Sequence, residues 1–136
     1  MMKEKIYTKM KLLKVIVCAF ALAMPVCASA QAEIKFDKTV IDFGEFSEAT
    51  PQQSCTFTYT NTGNQPLIIN QAVASCGCTV PEFTKDPVQP GMKGQIKVTY
   101  NGKGKFPGHF QKTITIRTNA TNEVVRLTIE GDMTEK

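Results

Sequence analysis

The chain of 136 residues has no tryptophan and one histidine, His109. Without tryptophan, the buried indole that marks antibody-type domains is excluded. Its carboxylates are scattered among turns and exposed faces. With a single imidazole, no Ser-His-Asp set can be assembled. The glycines Gly102, Gly104 and Gly108 lack the strand-to-helix context of a nucleotide-binding loop and read as loop flexibility. These gaps argue against an enzyme. No apolar run reaches the roughly 18–20 residues of a permanent membrane helix.

An excess of charge is also missing. The formal net charge is +4, but five of the 16 basic residues and one of the 12 acidic ones fall in the first thirty positions. The remainder carries 11 of each sign and is neutral. A neutral surface has no field to gather nucleic acid or anionic lipid, so neither is expected as a partner.

The first thirty residues read as an address. Lys3, Lys5, Lys9, Lys11 and Lys14 precede the apolar LLKVIVCAFALAM, and Ala28-Ser29-Ala30 ends the segment with the small-x-small pattern cut by signal peptidase. Cleavage is expected between Ala30 and Gln31, with Met10 an alternative start. Neither Cys18 nor Cys27 follows the small residue that bacterial lipid attachment requires. Residues 1–30 are therefore expected to be a signal peptide, helical before removal, and residues 31–136 a single periplasmic or secreted domain. About 100 residues can bury enough surface for a core without staples.

From Ile34 onward the dominant period is two. Cys55, Phe57 and Tyr59 alternate with Thr56, Thr58 and Thr60; Ile96, Val98 and Tyr100 with Gln95, Lys97 and Thr99; Val125, Leu127 and Ile129 with Arg126, Thr128 and Glu130. Ile114 and Ile116 continue the pattern, which is that of half-buried strands. At the front, EIKFDKTVIDFGEF reads as a strand broken near Asp37-Lys38, with a second piece through Ile41 and Phe43. NTGNQP, DPVQPGMKG, NGKGKFPGHF and TNATNE are turn or loop signals. Pro90-Gly91 suits the centre of a type II turn. About seven short strands with no helical stripe predict an all-β, immunoglobulin-like antiparallel sandwich with two edge strands.

Ser75-Cys76-Gly77-Cys78-Thr79-Val80-Pro81 is the segment richest in chemistry. Same-side strand residues lie roughly 6.5 Å apart at Cα, near the limit for a disulfide, and Gly77 can bend the chain to bring the two sulfurs together. Three fates are open. A local Cys76–Cys78 disulfide would close a small ring and stabilise little. Two thiolates could hold copper in its cuprous state, assisted by His109 or Met92; zinc lacks its second ligand pair. Thiol exchange ranks last, because no helix N-terminus or adjacent cation is evident to activate a thiol. The plainest reading is a loop anchor that carries the chain, through Thr79 and Pro81, to the other sheet. Cys55, in line with Phe57 and Tyr59, reads as core.

FTYTNTGNQPLIINQAVASCGCTVPEF, PVQPGMKGQIKVTYN, GHFQKTITIRTN and VVRLTIEG together resemble a bacterial domain-of-unknown-function family, numbered fifteen seventy-three. The resemblance rests on Asn61 with Gly63, Ser75 to Thr79, Pro90 with Gly91, and Leu127 with Ile129 and Gly131. It implies an exported immunoglobulin-like sandwich, distantly similar to major-sperm-protein and cilia-associated domains, with no established reaction. Cys55 is outside the family's marked pattern. The function expected on these grounds is a non-enzymatic module that binds another envelope protein through an edge strand. Copper binding at the Cys-Gly-Cys segment is the alternative.

Overall fold

The computed structural model describes residues 29–136; the signal-peptide reading and its helix lie outside them, apart from the expected cleavage point at Ala30. Eight strands form: β1 (Ile34–Phe36), β2 (Val40–Ser47), β3 (Gln52–Asn61), β4 (Ile69–Ala74), β5 (Thr79–Phe83), β6 (Lys93–Asn101), β7 (Gly108–Thr118) and β8 (Val124–Thr134). They build two four-stranded sheets, ordered β1-β3-β6-β5 and β2-β8-β7-β4. The all-β, immunoglobulin-like sandwich expected from the alternation is what the chain adopts. Among the described residues there is no helix long and apolar enough to cross a membrane.

The alternation decides which side chains meet. Phe57 and Tyr59 on β3 and Ile96 and Val98 on β6 face Ile114 and Ile116 on β7 and Leu127 and Ile129 on β8, and all are buried. Each such side chain contributes about 1.5–3 kcal/mol when removed from water. The two sheets are also pinned by aromatics: Tyr100 of β6 stacks on Phe110 of β7 with ring centroids 4.0 Å apart, and Phe46 of β2 meets both rings edge-on. Cys55 is half-buried and packs against this core. Burial pushes its thiol up to about 11, because a thiolate there would lose solvation.

The front of the chain breaks as expected, with a consequence that alternation alone does not reveal. β1 pairs with β3, whereas β2 joins the opposite sheet. The switch occurs at Asp37–Thr39, where the Asp37 amide still donates to Thr58 O at 3.0 Å. Because no hairpin reverses the chain there, β2 keeps the heading of β1 and runs parallel to β8, while the other five pairings are antiparallel. An entirely antiparallel arrangement was expected, so this pairing is a local departure. Two open sheets have four edges, where two were expected: β1 and β5 border one sheet, β2 and β4 the other.

Turns follow their chemistry. At Gln89-Pro90-Gly91-Met92 the Met92 amide donates to Gln89 O at 3.0 Å, and Gly91 has φ 80, the left-handed value a type II turn requires at that position. The opposite end of β3 from the Ser75–Cys78 segment is closed by Asn61, which is fully buried. Its Nδ2 donates to Gln65 O (2.7 Å) and Val88 O (2.9 Å), and its Oδ1 accepts from the Gly63 amide (3.0 Å).

Candidate functional site

Ser75–Cys78 carries the chain from β4 in one sheet to β5 in the other. Ser75 starts the crossing. Its amide donates to Thr113 O (2.8 Å), and its Oγ, in place of its own carbonyl, accepts from the Thr113 amide (3.2 Å). This substitution frees the backbone to leave the sheet. The Thr79 amide donates to Cys76 O (3.3 Å), and the Asn101 amide donates to Cys78 O (2.8 Å), seating the far end on β6.

Within this frame Cys76 and Cys78 are joined by a disulfide, with Cα atoms 5.3 Å apart. The two sulfurs differ in surroundings. Both are half-buried; Cys78 packs against the core and precedes buried Thr79, while Cys76 lies between the exposed Ser75 and Gly77. The Cys78 amide donates to Cys76 Sγ at 3.1 Å. A Cβ placed on Gly77 would have nothing within 4 Å, so the loop is open to approach.

The other candidate ligands lie elsewhere. Met92 precedes β6, whereas Cys78 is bonded to Asn101 at its end. Nine residues of extended strand put them on the order of 30 Å apart. His109 is four residues along β7 from Thr113, on the order of 13 Å. Its Nδ1 pairs with Asp132 Oδ1 at 3.1 Å on the solvent face, where both are at least half exposed. Among the described residues, no three His, Cys, Asp or Glu side chains are grouped to hold a metal ion. Cys55 pairs with Val98, which on its other side pairs with Pro81 of β5, so it is two strands removed from the bridge.

The strands flanking the crossing end in two different kinds of edge. On β5 the Cys78–Asn101 bond sets the alternation, so Thr79, Pro81 and Phe83 turn their backbone groups outward. Pro81 offers no N–H there, which blunts the edge. β1 has only three residues. β2 is interrupted by a register shift between Asp42 and Glu45, with Gly44 at φ 69 and two charges beside it. β4 has none of these protections beyond an irregularity at its start, between Ile69 and Gln71. From Gln71 to Ala74 it carries neither proline nor charge. The Ser75–Thr113 bond sets its phase, so Gln71 and Val73 bond to β7 while Ala72 and Ala74 turn N–H and C=O outward. Val73 is 47% exposed beside them, and Val80 on β5 is 52% exposed.

A family model described as a protein of unknown function matches residues 34–133. The chain belongs to that family, DUF1573. The match includes both sulfurs and the whole of β4. No curated protein matches the chain. Among solved structures, a protein of unknown function from Porphyromonas gingivalis W83 is similar with a TM-score of 0.68 at 15% identity, over 81% of this chain and 51% of its own. This chain thus spans about half the length of that protein. The ASH/PapD-like domain of human CEP192 gives a TM-score of 0.62 at 8% identity, over 84% of this chain and 94% of the domain. The periplasmic chaperone SfaE gives 0.52 at 10% identity, over 76% and 58%. At these identities the likeness is one of fold. The edge residues of β4 were not singled out by sequence, because which strand ends a sheet depends on long-range pairing.

Proposed function

We propose that this DUF1573 protein is an exported, non-enzymatic module that captures an extended segment of another envelope protein along β4. One observation carries the reading. Beyond the irregularity at the start of β4, Gln71–Ala74 is an edge without charge or proline, whereas the other three edges are short, blunted by proline or broken by a bulge within the strand. Unpaired strand edges are templates for pairing, and natural proteins ordinarily protect them. An added strand would take main-chain bonds from Ala72 and Ala74 and would lay alternate side chains against Val73. The likeness in fold to a periplasmic chaperone supports both the compartment and protein binding.

Proline at Ala72 removes an outward N–H without touching a β4–β7 bond. A photoreactive residue at Val73 is expected to cross-link one envelope protein in living cells, and Ala72→Pro is expected to abolish that product while the domain stays folded. Equal labelling from Val40 on β2, or labelling unaffected by Ala72→Pro, would refute the reading.

A further inference from the structure

We infer that the Cys76–Cys78 bridge is a thiol–disulfide exchange site in which Cys76 forms the mixed disulfide and Cys78 resolves it. The inference is independent of the proposed β4 interface. Among the described residues no helix N-terminus is available to stabilise a thiolate, and the lack of one argued against exchange on sequence alone. The turn supplies an equivalent donor: the Cys78 amide points at Cys76 Sγ at 3.1 Å. Hydrogen bonding to a charged form favours that form, so Cys76 is the sulfur that holds negative charge best in the reduced state. Access favours the same atom. Both cysteines are half-buried, but Cys78 also packs on the core, and its Sγ meets Thr79 Oγ1 at 3.7 Å, a longer contact than the 3.1 Å amide bond to Cys76.

The frame allows the bond to open and close. Ser75, Cys76 and Cys78 are held by backbone bonds to Thr113, Thr79 and Asn101 that do not involve the S–S bond. The co-reactant is a protein dithiol. Its thiolate attacks Cys76 Sγ; the Cys76–Cys78 bond breaks, and Cys78 leaves as a thiolate that takes a proton from water. The resulting mixed disulfide has two exits. Cys78 can attack Cys76 and expel the incoming thiol, or the partner's second thiolate can attack its own bonded sulfur. The second exit leaves the partner oxidised and Cys76 and Cys78 both reduced, so electrons balance without a further oxidant. Cys55 does not compete: its thiol, raised from 9.0 to about 11 by burial, carries about 100-fold less thiolate near neutrality than an ordinary one.

The test uses the reduced chain and oxidised glutathione as probe, with sites read by peptide mass spectrometry. Cys78→Ser is expected to acquire glutathione on Cys76 at least ten-fold faster than Cys76→Ser acquires it on Cys78. Reduced wild type should pass to the Cys76–Cys78 disulfide without accumulating the mixed species. Should either variant fail to fold, competitive alkylation of reduced wild type makes the same comparison, with Cys76 labelled ten-fold ahead of Cys78. Equal rates, or faster reaction at Cys78, would overturn the assignment.

Discussion

Reducing the Cys76–Cys78 bond in the otherwise unaltered protein is expected to lower stability by only about 1.6 kcal/mol. The magnitude follows from the ring, which closes three residues. The loop-entropy relation gives about 5 cal/mol/K, or about 1.6 kcal/mol at 25 °C. A bridge from Cys55 to Cys78 would close about 24 residues and contribute roughly 3.5 kcal/mol by the same relation. The crossing also keeps its anchors when the sulfurs part, because the amides of Ser75, Thr79 and Asn101 are bonded to carbonyl oxygens. For a domain of about this size, each kcal/mol moves Tm by roughly 4–8 °C, so reduction should lower it by roughly 6–13 °C. Urea unfolding with and without reductant, followed by circular dichroism and tyrosine fluorescence, measures the difference. A loss well above about 3 kcal/mol, or a reduced state without a cooperative transition, would show that the bridge holds the fold together and would refute this reasoning.

Asn61→Ala should cost about 2–4 kcal/mol, since it removes a fully buried amide and leaves the Gly63 amide and two carbonyls with fewer partners. A urea midpoint close to wild type would contradict that role. Stability should also fall in alkali. Cys55 binds its proton more tightly folded than unfolded, so its contribution is complete below pH 9, declines as pH rises toward about 11, and is constant beyond. Buried Tyr59 and Tyr100 are shifted up by the same desolvation and add to the decline at higher pH. Urea midpoints measured between pH 8 and 11 should therefore drop, and Cys55→Ala should lose the part that begins near pH 9.

Alternation made the fold legible. Phe57, Tyr59, Ile96, Val98, Ile114, Ile116, Leu127 and Ile129 are apolar at period two, and they are the buried wall of the sandwich. The break at Asp37-Lys38 and the Pro90-Gly91 turn were also readable, because local backbone chemistry decides both. The sheet to which each half of the broken strand goes was not readable. That depends on β8 lying alongside β2, some ninety residues later in the chain, on the order of a full domain length. The same nonlocality hid the unprotected edge of β4. LIINQAVA reads as a strand from its composition, but its exposure along one side follows only from β7 being its single partner. At the cysteines, spacing suggested a local pair. The asymmetry between the sulfurs comes from one turn amide and from core packing beneath Cys78, which no spacing rule encodes.

Backbone amide exchange along β4, measured residue by residue with and without the cross-linked envelope partner, tests the central claim most directly. In the free protein the Ala72 and Ala74 amides should exchange rapidly and those of Val73 and Ser75 slowly; the bound partner should slow Ala72 and Ala74 alone. Uniform protection of all four in the free protein, or no change at Ala72 and Ala74 on binding, would contradict the account.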